Sequence, residues 1–346
     1  MYSVRSGVNV VAALSCLSVV GYFCLYNAVL SKSRINDNVV PLDERLCHWY
    51  KPLQNDTAAK SSTSSNVSSE DDFVPLLTLF SSWPVESNKH TVWRRTLENW
   101  AQLKPLVRPV FFSTSGHQAD YVCRFGWDFL PVRKTASSNI PVLKVMFMDA
   151  ICRFNSMFYG YANGDILFDD SLIVSLRTIK EAGLDLRTPV FITGIRTNVA
   201  NLTVDETSIR NLFHVAQKKG HLFIPLSQDY FITDSSFPWA DIPNVVIGRR
   251  GYDNWLLLYA RQLNLITIDA TETVLAVHQT TKAGIREGWR HRDSDYNVDL
   301  LRKRFKHVRY EAGATFCAQW RTVGNSTTNV AISFRSELKK SCFPLL

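Results

Sequence analysis

The sequence predicts an α/β domain, a mostly parallel twisted sheet flanked by helices on both faces, with a transmembrane helix ahead of it. Three observations predict this. From Phe73 onward, short apolar runs alternate with amphipathic stretches of helical length, the pattern of strands joined by crossover helices. The chain has 346 residues and is 46% hydrophobic and 12% aromatic, enough to bury a sizeable core. No charged residue lies between Arg5 and Lys32, a stretch long enough to span a bilayer, which takes about 20 apolar residues.

Taken in order, residues 1–7 are a cytosolic tail and residues 8–30 a signal anchor. Tyr26-Asn27-Ala28-Val29-Leu30 offers no clean small-residue cleavage site, so the anchor is favoured over a removed signal peptide. Flanking charge does not orient it, because Arg5 on one side faces Lys32 and Arg34 on the other. Four sequons, beginning at Asn55, Asn66, Asn201 and Asn325, all follow the anchor. They favour a lumenal body. Residues 31–72 form a stem: from residue 55 to 72 Ser, Thr, Ala and acidic side chains dominate, and such a segment buries too little to offset its ordering entropy.

Within the body, residues 73–80 read as a buried strand. Residues 92–104 read as a helix with Trp93, Leu97 and Trp100 on one face, stopped by Pro105. Strand 107–114 follows, then a helix carrying Leu143, Met146, Phe147, Ala150, Ile151 and Phe154. Residues 158–168 read as one strand, followed by a helix from residue 171 to a Gly183 cap. Further strands are expected at 189–194, 222–225, 245–247, 265–269 and 274–278, with a helix over 254–263. Residues 286–346 form a C-terminal extension packed on the main domain, with no element assigned.

Charge and cysteine usage narrow the chemistry. The net charge of +8 favours anionic ligands or membrane surfaces. The densest basic run, residues 302–309, lacks stacking aromatics, so nucleic acid is excluded as a partner. Of seven cysteines, two sit in the anchor and none forms a Cys-x-x-Cys pair, which argues against a zinc site. One or two disulfides are expected, leaving an odd thiol, with the pairing open.

The chemistry-bearing residues gather in two regions. Asn163-Gly164-Asp165 follows an apolar strand and precedes another apolar run, so Asp165 stands where a strand end holds a carboxylate rigidly. Asp293-Ser294-Asp295 matches Asp-x-Asp better, yet no apolar strand feeds it, and it reads as a solvated loop. The second region holds Asp229-Tyr230-Phe231, the block from Gly248-Arg249-Arg250-Gly251 to Tyr252-Asp253-Asn254-Trp255, then Asp269 and Val277-His278-Gln279.

With these motifs, residues 73 to 281 resemble the GT-A glycosyltransferases, the nucleotide-diphospho-sugar transferase superfamily. The resemblance implies a lumenal catalytic domain over 73–285 of a single-pass type II protein of the Golgi or endoplasmic reticulum membrane. It implies a nucleotide-diphosphate sugar as donor, a glycan, glycoprotein or glycolipid acceptor, and Mn2+ or Mg2+ as cofactor. It implies Asp165 and His278 as metal ligands, with Asn163, Asp165, Arg249 and Arg250 contacting the donor. Asn163 stands where aspartate is more frequent, and Asn139-Ile140-Pro141 stands where relatives carry Gly-Thr-Pro.

An inverting transferase needs a carboxylate base; Asp253 is the first choice and Asp229 the second. Asp253 also fits a helix N-cap. His278 reads as a ligand or as a strand-end histidine with a satisfied hydrogen bond, and each arginine as a donor contact or a surface ion pair. Tyr252 and Trp255 read as sugar-stacking or core residues. Two rival functions stand beside the transferase. One is a non-catalytic lumenal glycan-binding or scaffold protein that kept the fold, and the other a hydrolase using Asp229 and Asp253 as a pair.

Overall fold

Strands apolar on both faces need cover on both sides, and the chain supplies it. The computed structural model describes residues 73–84, 89–184, 187–281, 291–305, 308–325 and 329–343. The tail, anchor and stem expected over 1–72 lie outside these residues. Among the described residues no helix is long and apolar enough to cross a membrane.

Strand β1 (Leu77–Ser81) leads to α1 (His90–Ala101), β2 (Val107–Ser113), α2 (Ala119–Cys123) and β3 (Asp128–Pro131). A small hairpin, β4 (Thr135–Ala136) and β5 (Ile140–Pro141), precedes α3 (Leu143–Arg153), β6 (Phe158–Ala162), β7 (Ile166–Phe168) and α4 (Ser171–Glu181). Next come β8 (Val190–Thr193), β9 (Thr197–Ala200), α5 (Ile209–Lys219), β10 (His221–Leu222), β11 (Tyr230–Thr233) and α6 (Tyr252–Gln262). The last elements are β12 (Ile266–Asp269), β13 (Ala276–Thr280), α7 (Tyr296–Arg304), β14 (Trp320–Asn325) and β15 (Asn329–Phe334).

Side-chain alternation along the strands splits the core in two. Leu77, Leu79, Tyr230, Ile232 and Ile192 pack with Trp93, Leu97 and Trp100 of α1 and Leu172 and Leu176 of α4. Phe80, Phe231 and Phe191 point the other way, against Met146 and Phe147 of α3 and Trp255 and Leu256 of α6. Helices therefore flank both faces, as the alternation of apolar and amphipathic segments predicts.

The main sheet has nine strands in the order β15-β14-β12-β8-β11-β6-β1-β2-β3, and a second sheet has four, β10-β9-β13-β7. Pairs within β6-β1-β2-β3 and β8-β12-β14 are parallel. β11 runs antiparallel to both β6 and β8, and β15 antiparallel to β14. Five of the eight pairings in the sheet are thus parallel, as expected, and the antiparallel ones fall on either side of β11 and at the β15 edge. Between β8 and β11 the chain detours through β9, α5 and β10 of the second sheet, and it re-enters the main sheet without the simple helical crossover that makes neighbours parallel.

Three expected elements change. Residues 158–168 are two strands, because β6 pairs with β1 while β7 pairs with β13 in the second sheet. The strand expected over 245–247 is a single bridge, Val142 to Val246. The strand expected over 222–225 contracts to β10, since Pro225 has no N–H for a ladder. The C-terminal extension supplies β14 and β15, which extend the main sheet beyond β12. A disulfide, Cys317–Cys342, ties that region; Cys152 is disulfide-bonded as well, and Cys123 is a free, exposed thiol.

Candidate functional site

The two sheets meet at a turn. β6 ends at Ala162, the Asn163 N–H donates to the Asp229 carbonyl at 2.9 Å, and the Ile166 N–H donates to the Asn163 carbonyl at 3.0 Å. Gly164 sits against Trp83: a Cβ there would lie 2.5 Å from the indole Cε3. Its carbonyl accepts from Thr96 Oγ1 at 2.7 Å. The turn is fixed from both sides, and Asp165 leaves it at the mouth of β7.

His278 is placed by register, opposite Ile166 in the antiparallel β13–β7 pair. Its Nε2 lies 3.4 Å from Asp165 Oδ2, and its Nδ1 is 3.2 Å from Thr280 Oγ1. Asp165 Oδ1 is buried with no hydrogen-bond partner. Burial works to raise the Asp165 pKa, but His278, Lys89 and Arg196 outweigh it and hold the carboxyl below its usual range.

Both residues line a cleft of about 820 Å³. The donor set suits a divalent cation: a carboxylate oxygen without another partner, in the turn that enters β7, and an imidazole nitrogen on β13, the strand paired with β7. Among the described residues no group of three or more His, Cys, Asp and Glu is placed to hold a metal. A cation here would have two protein ligands, Asp165 and His278, and would need its remaining ligands from outside the protein, as magnesium and manganese held by few carboxylates commonly do.

Asn163 does not face the cleft as a free amide. Its Oδ1 accepts from the Tyr161 hydroxyl at 2.9 Å, and its Nδ2 donates to Asp229 Oδ1 at 2.6 Å. Asp229 Oδ2 accepts from Arg196 Nη1, and both side chains are nearly buried, at 8% and 5% exposure. Arg196 Nε donates onward to Asn198 Oδ1 at 3.0 Å, and its guanidinium stacks on Phe223 at 4.4 Å. A neutral donor at position 163 is what the buried Arg196–Asp229 pair accommodates. A second carboxylate there would oppose Asp229.

Asp253 stands apart from that network. Gly251, at φ +92°, is the N-cap of α6, so Asp253 lies in the first turn and is not the cap. A Cβ at Gly251 would meet Val298 at 2.9 Å. Asp253 Oδ2 accepts from the Gln228 N–H at 3.4 Å. Burial pushes the Asp253 pKa up to about 6; the amides of Asn254 and Gln228 pull it down and the Asp229 charge adds to the rise. Gln228 Nε2 donates to the Gly313 carbonyl at 2.7 Å, leaving its buried Oε1 without a partner.

The two arginines differ. Arg250 Nε pairs with Asp295, whereas Arg249 Nη1 donates to its neighbour Gly248's carbonyl at 3.0 Å and its buried Nε has no partner. Burial lowers the Arg249 pKa. Both line the cleft. Asp293 and Asp295, expected as a solvated loop, are used locally: Asp293 accepts from Ser138 Oγ and Asp295 precedes α7. Trp255 stacks on Tyr259 at 4.9 Å inside the core and is a packing residue; Tyr252 is buried too, yet it lines the cleft. Asn139-Ile140-Pro141 lies at the β4–β5 hairpin on the cleft rim.

Sequence reading missed Arg196, Gln228 and Tyr161. Arg196 had a signal: Gly194-Ile195-Arg196 follows the carboxyl end of an apolar strand, where ligands gather in such sheets.

No protein-family model matches the chain, and no curated protein matches it. Among solved structures it is similar to the mannosyltransferase PcManGT from Pyrobaculum calidifontis in complex with GDP-Man and Mn2+, at 14% identity and TM-score 0.37, covering 71% of this chain and 68% of that one. It is also similar to glucosyl-3-phosphoglycerate synthase from Mycobacterium tuberculosis with Mn2+, UDP-glucose and glycerol 3-phosphate, at 12% identity and TM-score 0.39, covering 68% and 81%. A third likeness is CMP:2-keto-3-deoxy-manno-octonic acid synthetase with CTP, at 9% identity and TM-score 0.34, covering 66% and 98%. These likenesses are distant, and the chemistry of this chain is read from the geometry of its own cleft.

Proposed function

We propose that this chain is a metal-assisted glycosyltransferase that moves a sugar from a nucleotide-diphosphate donor to a hydroxyl acceptor. The observation that carries the reading is Asp165: a carboxylate with one oxygen buried and unbonded, 3.4 Å from an imidazole, in a large cleft.

Asp165 and His278 would hold Mn2+ or Mg2+, which supplies neutralisation of the charge that develops on the departing diphosphate. Arg249, whose side chain lines the cleft, binds and orients the anionic end of the donor. Asp253 accepts the proton of the attacking hydroxyl; a pKa of about 6 leaves it ionised at neutral pH and still basic enough for the task. In that role Asp253 goes with inversion of configuration, for which a carboxylate base is needed. Asp229 is poorly suited to be the base, because Asn163 and Arg196 occupy both its oxygens. The same occupancy weakens the hydrolase reading.

A single-pass type II arrangement in the Golgi or endoplasmic reticulum belongs to the same proposal. It is supported by the uncharged stretch after Arg5, by the exposed sequon at Asn201, and by the Cys317–Cys342 disulfide, which favours an oxidising compartment.

The test is donor turnover by the full chain with Mn2+ across a panel of nucleotide sugars, against Asp165→Ala. Metal-dependent turnover that vanishes in the variant is expected. Equal turnover in both proteins would remove the cation site. Binding of Mn2+ and uridine diphosphate without turnover on any acceptor would favour the non-catalytic binding protein.

A further inference from the structure

Strand β9 ends in a turn that meets solvent. Ala200 closes the strand and Asn201 follows at φ +52°, a left-handed conformation that asparagine adopts more readily than most residues. Leu202 then turns inward, at 5% exposure, and packs with Val199, Leu212 and Val277. Asn201 and Thr203 on either side of it are exposed. The Thr203 N–H donates to Glu206 Oε2 at 2.8 Å, and its hydroxyl meets the same carboxylate. Glu206 in turn pairs with Lys219 at 2.8 Å. An apolar anchor and an ion pair thus fasten the turn, and among the described residues no hydrogen bond holds the Asn201 side-chain amide.

Asn201-Leu202-Thr203 has the acceptor pattern for N-linked sugars. Such a modification puts a bulky, hydrophilic group on Nδ2. A position that tolerates it must leave that nitrogen in solvent and draw its anchorage from other groups, and Asn201 meets both conditions. It is also clear of the cleft: Arg196, just before β9, lines the cleft, and Asn201, just after β9, does not. The sequons at Asn55 and Asn66 lie outside the described residues, as does Thr327 of the one at Asn325.

We propose that Asn201 is an N-glycosylation site, which takes an oligosaccharide from a polyprenyl diphosphate donor. The bond from Asn201 Nδ2 to the anomeric carbon forms and the bond from that carbon to the diphosphate oxygen breaks. The lipid diphosphate leaves with the electron pair, and one amide proton passes to a base of the transferring enzyme. Modification of any kind rests on the lumenal placement proposed above, which the Cys317–Cys342 disulfide supports without reference to a sequon. The choice of Asn201 rests on the turn. The competing role is purely conformational, an asparagine kept for its left-handed backbone, and it makes no demand on Thr203.

The test expresses the full chain in a eukaryotic secretory host. Glycans are released by peptide N-glycosidase in oxygen-18 water, which converts each formerly modified asparagine to a labelled aspartate, and peptides are mapped by mass spectrometry. Label at position 201 is expected. It should be lost in Thr203→Ala and kept in Thr203→Ser, which retains the hydroxyl. Asn201→Asp should also lose it, with the melting temperature of the deglycosylated parent, since aspartate tolerates the left-handed turn. Label that persists in Thr203→Ala would mark deamidation instead and overturn the proposal. An unmodified Asn201 beside glycans at Asn55, Asn66 or Asn325 would overturn it and leave the lumenal placement standing. Absence of glycan from all four sequons would overturn both. None of these outcomes bears on the Asp165 test, which reads the cleft.

Discussion

Asn163 donates to Asp229 Oδ1 at 2.6 Å while Arg196 holds the other oxygen of the same carboxylate. The turn that presents Asp165 is therefore fastened, through a neutral amide, to a buried ion pair. The departure from a two-carboxylate motif has a local reason in that contact.

Restoring the missing carboxylate should therefore harm the protein. In Asn163→Asp, two carboxylates would stand within hydrogen-bond distance in a nearly buried site, which forces one to stay protonated. A loss of about 1–3 kcal/mol in urea unfolding at pH 7 is expected, easing at lower pH, together with weaker binding of Mn2+ in calorimetry. Tighter Mn2+ binding in the variant would contradict this role for Asn163.

Arg196 is the larger dependence. Removing one partner of a buried pair strands the other charge, at a cost of about 3–5 kcal/mol. Arg196→Met is expected to lose stability on that scale, and Arg196→Met/Asp229→Asn to recover a substantial part. A double-mutant cycle from denaturant melts checks it. Additive losses would mean the two side chains are not coupled.

How much of the fold and the site was legible in the sequence depends on which signal each residue sends. α1, α3 and α4 declared themselves through apolar periodicity, and Asp165 through its place after an apolar run. The division of residues 158–168 between two sheets did not, because a continuous apolar run looks the same whichever partner its backbone finds. Arg196 carried a local signal only in its place after β8; the role itself is set by Asp229, 33 residues on, and pairing across that separation leaves no local trace. The hairpin of β14 and β15 is broken up by Arg321, Thr322, Gly324 and Ser333, so no long apolar run marks it as one marks the central strands.

Asp253 gives a prediction in pH. Its pKa of about 6 in the folded chain lies above the ordinary 3.8. Between those values the folded state keeps a proton that the unfolded state has lost. This group's contribution to stability is therefore full below pH 4 and is lost as pH rises toward 6. Asp253→Asn is expected to be more stable than the parent at pH 7.5 by at most ~3 kcal/mol, while transfer drops by roughly 10²–10⁴. In the parent, kcat/KM should fall as pH drops through about 6. A stable variant that retains full turnover would remove Asp253 as the base.

Gly164 tests whether the turn itself matters to the cation site. A Cβ at this position would lie 2.5 Å from Trp83 Cε3, and that indole cannot step aside. It is wedged among Trp93 at 5.6 Å, Phe111 at 4.4 Å and Trp127 at 6.0 Å. The strain must go into the backbone of the turn, next to Asp165 and to the carbonyl that Thr96 grips. Gly164→Ala is expected to cost about 1–3 kcal/mol of stability. It should also weaken the thermal stabilisation given by Mn2+ with uridine diphosphate, because Asp165 moves relative to His278. Trp83→Leu in the same chain relieves the clash and should return part of the Mn2+ response despite its own packing loss. If Gly164→Ala binds Mn2+ as the parent does, the turn is not what holds Asp165 in place.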